Sequence, residues 1–251
     1  MAARLDPEIS KKLEDFRQKV SVTAEDIVFR VFPAKIIELN EFIETTSTPD
    51  SPFHLSRAAA STDATVYPPP TDDDGPEAKK RKRNTETGSG ATNSNDTRHA
   101  VYPNLMLGNK HIVIIHATIK KECEQLADLV DKVKLWVNLT MPKIEDGDNF
   151  GVSIQEEALS ELVRSQESAY NLRDGARADH LTRAKICSKI IKYPYVEDYA
   201  LSLKEHDEKQ LYLARQHMVD IRNIYAVITD ILHKNINKIR APKANNGGAM
   251  Y

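Results

Sequence analysis

Eight histidines and two cysteines are the residues of this 251-residue chain best suited to metal binding or nucleophilic chemistry, and their spacing supports neither. There is no HExxH motif and no Glu-x-x-His pair of the kind that builds a di-metal centre in a helical bundle. His111 and His116 are five positions apart, fall on different faces of a helix, and read as surface or boundary residues. His217 and Asp220 form an ordinary i,i+3 polar pair. Cys123 and Cys187 sit inside helical patterns and read as free thiols in a reducing compartment. Trp136 lies among apolar residues and reads as packing. No GxGxxG or GxxxxGK[ST] loop is present to cradle a nucleotide phosphate. No cofactor, no metal and no catalytic residue is expected, and an enzyme is the weakest reading.

Three segments suggest recognition instead. Lys79, Lys80, Arg81, Lys82 and Arg83 form a basic run that suits the acidic groove of a nuclear-import receptor. Residues 142–151 (Pro142, Lys143, Ile144, Glu145, Asp146, Gly147, Asp148, Asn149, Phe150, Gly151) are rich in turn formers. Proline ends a helix, glycine permits unusual backbone angles, and Asp and Asn tolerate left-handed ones. A plain helical hairpin needs only about two to five connecting residues, so a loop this long carrying Ile144 and Phe150 reads either as a shaped loop that touches a partner or as a structural turn. The third segment is the end, Pro242-Lys-Ala-Asn-Asn-Gly-Gly-Ala-Met-Tyr251, where Ala249, Met250 and Tyr251 present an apolar and an aromatic side chain beside a free carboxylate. Capture of a C-terminal carboxylate is a known recognition mode, and a frayed terminus is the other reading of such a tail.

The elements that must hold these segments are helices. Nine glycines are about half the number expected at roughly 7% usage, too few for the turns of a sandwich or barrel. Apolar residues recur at spacings of three and four along four stretches. The first runs through Leu5, Ile9, Leu13, Phe16, Val20, Ala24, Ile27 and Val31, meets a kink or break at Phe32-Pro33, and resumes through Ile36 to Ile43. The second runs from Ile112 to Val137 and ends near Met141-Pro142. The third runs from Ile154 to Ile191, with a middle so small and polar that close packing or a wet face is expected. The fourth runs from about Val196 to Ile239, stopped by Pro242. Lengths of about 35 to 45 residues imply helices of roughly 50 to 65 Å. The fold class is therefore all-α, an elongated four-helix bundle. Residues 1–44 carry its first helix and residues 101–241 the other three, with a flexible tail at 242–251. Between them, residues 45–100 hold six of the twelve prolines and only four large apolar side chains, which predicts a disordered linker.

Basic and acidic residues nearly cancel, 35 against 37, so neither a nucleic acid nor a membrane surface is indicated as partner. No apolar run approaches the roughly 20 residues of a membrane span. The amphipathic, charged N-terminal segment does not read as a signal peptide, which with the basic run opposes a secreted cytokine-like bundle.

Pro142-Lys-Ile-Glu-Asp-Gly-Asp-Asn-Phe-Gly-Val-Ser-Ile-Gln-Glu-Glu157 closely resembles the activation loop of the REG-type (11S) proteasome activators. Phe32-Pro33-Ala-Lys35, Lys189-Ile-Ile-Lys-Tyr-Pro-Tyr-Val-Glu-Asp-Tyr199, Ile221-Arg-Asn-Ile-Tyr225 and the Met250-Tyr251 ending support the likeness, and the basic run is similar to the nuclear signal of the gamma type. The resemblance implies four long helices per subunit, seven subunits in a homo-oligomeric ring, and docking without ATP on the alpha-subunit ring of the proteasome core particle. It implies that the C-terminal tails anchor the ring and that the activation loops open the substrate gate. Arg183-Ala184-Lys185 resembles the pattern that, in the gamma type, sets a lysine toward the channel, where it is implicated in which peptidase activities are stimulated. One departure stands out: the family's usual Asp-Gly-Asn-Asn-Phe has Asp148 in place of its first Asn. The expected location is the nucleus, with the cytoplasm also open. Against this stand two alternatives, a nuclear helical scaffold with no proteasome role and a metal-dependent bundle enzyme.

Overall fold

The computed structural model describes residues 6–61, 106–143 and 149–243, and among these every regular element is helical. The first helical rod contains α1 (Pro7–Asp26), a π-helical turn (Ile27–Val31) and α2 (Phe32–Thr45). Asp6 caps it, accepting the Glu8 and Ile9 amides at 2.8 and 3.4 Å, and Pro7 occupies the first turn, where no donor is needed. Of the kink or break expected at Phe32-Pro33, a local π-helical irregularity forms and no break. Proline lacks the N–H for the carbonyl four residues back and its ring clashes there. Widening the preceding turn to π geometry absorbs that mismatch, and the helix runs on. Val28 and Phe32 are both fully buried, so core packing holds the rod on either side of the irregularity.

The linker also begins later than its composition suggests. Residues 46–55 fold back as turns and lead into the short α3 (Ser56–Ser61). Phe53 is buried edge-on against Phe42, with ring centroids 5.3 Å apart, and Arg215 donates to Ser47. Burial of Phe53 and Ala58, with hydrogen bonds from Arg215 to Ser47 and from Arg57 to the Pro49 carbonyl, holds a segment whose overall composition is polar. The rest of the expected linker, with the basic run at 79–83, lies outside the described residues.

Three long helices complete the bundle: α4 (Lys110–Thr140), α5 (Phe150–Lys192) and α6 (Glu197–Arg240). Asn109 caps α4 by accepting the His111 and Ile112 amides. Glu197 and Asp198 open α6 and Lys238 and Arg240 close it, each matching the helix dipole. Successive helices are antiparallel. Arg240 reaches Glu25 and Arg222 reaches Asn40, which sets α6 against the first rod. Among the described residues α5 touches α4 and α6 but neither α1 nor α2, so α4 and α6 meet across the middle of the bundle. The core there contains Trp136, Phe32 and Tyr225, the last two in an edge contact at 5.5 Å. A buried ion pair, Lys35 to Glu122 at 2.8 Å, crosses from α2 to α4. Burial, and then the neighbouring Glu122, push the Tyr225 phenol above its ordinary value.

The polar middle of α5 combines an open, groove-lining face with buried polar pairs. Asp179 and Arg183 point into the bundle and find partners, whereas His180 and Ala184, expected on the core stripe, are exposed. Gly175, also within this stretch, lines an open groove of about 580 Å³ between α5 and α6, opposite His217.

Candidate functional site

The two segments expected to contact a partner leave the bundle at the same end. The loop departs from α4 at Thr140, through Met141, Pro142 and Lys143, and returns through Asn149 to α5 at Phe150 and Gly151. The tail departs from α6 beyond Arg240, through Pro242. Ile144, Glu145, Asp146, Gly147 and Asp148 lie outside the described residues, as do Ala249, Met250 and Tyr251. The structure therefore bears on the bases of both segments and not on their tips.

Those bases are in direct contact. A Cβ on Gly151 would stand 2.7 Å from both the carbonyl carbon and the Cα of Pro242, and closer still to its oxygen. Only a residue without a side chain permits that approach. One turn further along α5, the Gln155 amide is fully buried and donates to the Ile239 carbonyl at 2.8 Å and to the Thr140 hydroxyl at 3.3 Å. Phe150, beside this contact, stays 60% exposed, as a side chain meant for a partner would be. At this end the sequence pointed to Gly151 as loop chemistry. It gave no sign of Gln155, whose partners lie 15 and 84 positions away.

Lys185 is not part of this end. It lies exposed on α5, 34 residues beyond Gly151 and therefore about 50 Å away along the helix axis. Its neighbour Arg183 faces inward instead. Arg183 donates to both carboxylate oxygens of Asp207, at 2.9 and 3.3 Å, and to the Leu107 carbonyl at 3.3 Å. This pair pins α5 to α6 and to the segment entering α4. Burial alone would lower the guanidinium's pKa, but the Asp207 hydrogen bonds and charge outweigh it and the net shift is upward. Arg183 stays charged.

A second buried polar group sits one turn away. Asp179 accepts from His206 Nε2 at 2.7 Å and faces His116 Nδ1 at 3.6 Å, while the His180 ring meets His116 edge-on at 5.9 Å. His116 is thus a buried core residue, not the boundary histidine its spacing suggested. Burial lowers its pKa despite the opposing pull of Asp179, with His180, Lys120 and His217 reinforcing the shift. His217, read from sequence as a plain pair with Asp220, is also held below its ordinary value by burial.

Both cysteines are free. Burial, then Glu122, push the Cys123 thiol up to about 12, which keeps it protonated and a poor nucleophile. Among the described residues no group of three or more His, Cys, Asp or Glu side chains is arranged to hold a metal ion, and no helix is long and apolar enough to cross a membrane.

Comparison with known proteins identifies the family of the chain. Residues 7–50 match the family described as "Proteasome activator PA28, N-terminal" and residues 105–249 match "Proteasome activator PA28, C-terminal". The chicken (Gallus gallus) protein "Proteasome activator complex subunit 3" is 38% identical, over 99% of this chain and 98% of the relative. The crystal structure of the 11S subunit of the Plasmodium falciparum proteasome, PA28, superposes with a TM-score of 0.71 at 30% identity, covering 97% of this chain and 98% of that one. At 9% identity, a structure of an archaeal 20S proteasome in complex with a mutated P26 activator contains the same fold, with a TM-score of 0.64 over 96% of this chain and 99% of the matched one. The two family matches, which together cover most of the chain, and the full-length relatives show that this chain belongs to the PA28, or 11S, proteasome activator family.

Proposed function

We propose that the protein is a non-enzymatic, ATP-independent activator of the proteasome core particle, working as a homo-oligomeric ring of seven. Ala249, Met250 and Tyr251 with the terminal carboxylate dock the ring on the alpha subunits. Residues 142–151 press on the gate. The observation that carries this reading is the contact of Gly151 with Pro242, which puts the root of the anchor and the foot of the loop at one end of a rigid bundle in a chain of this family.

The division of labour follows from simple energetics. One short tail offers little contact area and binds weakly, but seven on one ring bind with avidity well beyond each contact. The loops can shift the gate only by their difference in affinity for its open and closed arrangements. Ring assembly is supported by apolar side chains left exposed along the subunit, among them Phe16, Val163, Tyr170, Leu181 and Tyr212, which a neighbouring copy would cover. Lys185, exposed on α5 far from the loop, fits a channel-facing role in which peptidase activities are stimulated. The run at 79–83 is read as an import signal engaging a nuclear-import receptor, with the nucleus as the main location.

Deletion of Met250 and Tyr251 tests the reading. Hydrolysis of a fluorogenic peptide by a matched core particle should lose its stimulation, while native mass of the ring stays the same. Full stimulation by the truncated ring would sink the proposal. A wild-type ring that leaves core peptidase activity unaltered would favour a helical scaffold.

A further inference from the structure

Gln155 has a place in the fold that packing alone does not explain. Its side chain is completely buried, yet its Oε1 has no partner among the described residues, so an apolar residue of similar size would fill the same space at lower cost. What the amide supplies is a connection among three helix ends. Nε2 reaches Thr140, the last residue of α4, whose hydroxyl is free to accept because its own proton goes to the Val137 carbonyl at 2.9 Å. Nε2 also donates to the carbonyl of Ile239, in the last turn of α6, where carbonyls have no partner within the helix. Gln155 itself lies in the second turn of α5. Thr140 is where the loop departs, Gly151 where it returns, and Pro242 where the tail leaves.

We propose that Gln155 is a positioning residue that fixes both feet of the loop against the root of the tail, so that tail docking presents the loop to the gate at a set offset. This rests on the function proposed above. Affinity and gate opening should respond differently to its loss. The nine residues from 243 to 251 can span up to about 30 Å at roughly 3.3 to 3.6 Å per residue, so the tail end still reaches its pocket when its root shifts by an ångström. Contact with the gate is the less tolerant of the two, because a contact displaced by about 0.5 to 1 Å already loses roughly a quarter to a half of its energy.

The test titrates Gln155→Leu rings against matched core particles with a fluorogenic peptide. Maximal stimulation should fall about fivefold, the factor expected when one net hydrogen bond no longer favours the open gate. The ring concentration giving half the effect should stay at the wild-type value. Wild-type maximal stimulation, or a rise in half-saturating concentration that accounts for the whole loss, would overturn the proposal. If Gln155→Leu fails to form rings, Thr140→Val decides, since it removes one of the two partners at a helix end: lower maximal stimulation at unchanged half-saturation supports the role, and wild-type behaviour refutes it. Wild-type rings that do not stimulate at all would instead refute the proposed function.

Discussion

Two glycines in α5 should respond in opposite directions to the same substitution. At Gly151 an added methyl would stand 2.7 Å from the Pro242 carbonyl carbon and Cα, where ordinary contact begins at 3.4 Å. Backbone must therefore move by about 0.7 Å or more, since Pro242 offers no flexible side-chain tip to swing away. Overpacking of this kind costs about 1 to 3 kcal/mol, more than the roughly 0.5 to 1 kcal/mol that alanine gains over glycine within a helix. At Gly175 the nearest atom is His217 Cε1 at 4.0 Å, so a methyl fits and only the gain remains. For a subunit of this size, about 2 to 4 °C per kcal/mol gives Gly151→Ala a melting temperature lowered by up to about 10 °C and Gly175→Ala one raised by about 1 to 4 °C. Thermal unfolding followed by circular dichroism at equal subunit concentration measures both, since ring assembly makes the midpoint depend on concentration. Gly151→Ala should also stimulate peptide hydrolysis less, because the relief of the clash moves the foot of the loop. A Gly151→Ala protein as stable as wild type, or two variants shifting in the same direction, would refute the argument from close approach.

Asp207→Ala leaves the Arg183 guanidinium buried and unpaired, which costs about 3 to 5 kcal/mol and should lower the melting temperature by about 6 to 20 °C; Arg183→Met with Asp207→Leu should recover most of it. Lowered histidine pKa values also set a pH dependence. Because His116 and His217 are harder to protonate in the fold than in the unfolded chain, their contribution is complete above about pH 6.5 and is lost as pH falls below it. Each can add a slope of at most about 1.4 kcal/mol per pH unit, and His116→Gln should flatten the fall in melting temperature between pH 7 and pH 5.5. Asp148→Asn restores the family's usual loop residue and an amide donor. If that position donates to the core particle, the variant should stimulate peptide hydrolysis more than wild type, and equal stimulation by both proteins would show that the charge at 148 is immaterial.

The sequence alone determined the helical class, the order of the long helices and where they stop, because a 3.6-residue apolar period and proline placement are local signals. Pro142 and Pro242 marked helix ends correctly. Pro33 read as a kink or break within the first helix, and burial of Val28 and Phe32 against the other helices keeps the rod continuous through a π turn. Phe53 likewise escaped a compositional reading, since an aromatic ring helps to order a polar segment only when a neighbour such as Phe42 is placed to receive it. Loop and tail were legible as segments rich in turn chemistry and as a carboxylate beside an aromatic residue. That they share one end follows from antiparallel helices of matched length, but their contact does not. Gly151 against Pro242, Gln155 across three helix ends, and the Arg183–Asp207 and His116–Asp179–His206 groups join residues 15 to 91 positions apart, and no local period encodes such pairings. Only the tertiary structure decided them, because a buried polar side chain is stabilised by its partners, and packing alone determines which partners it meets.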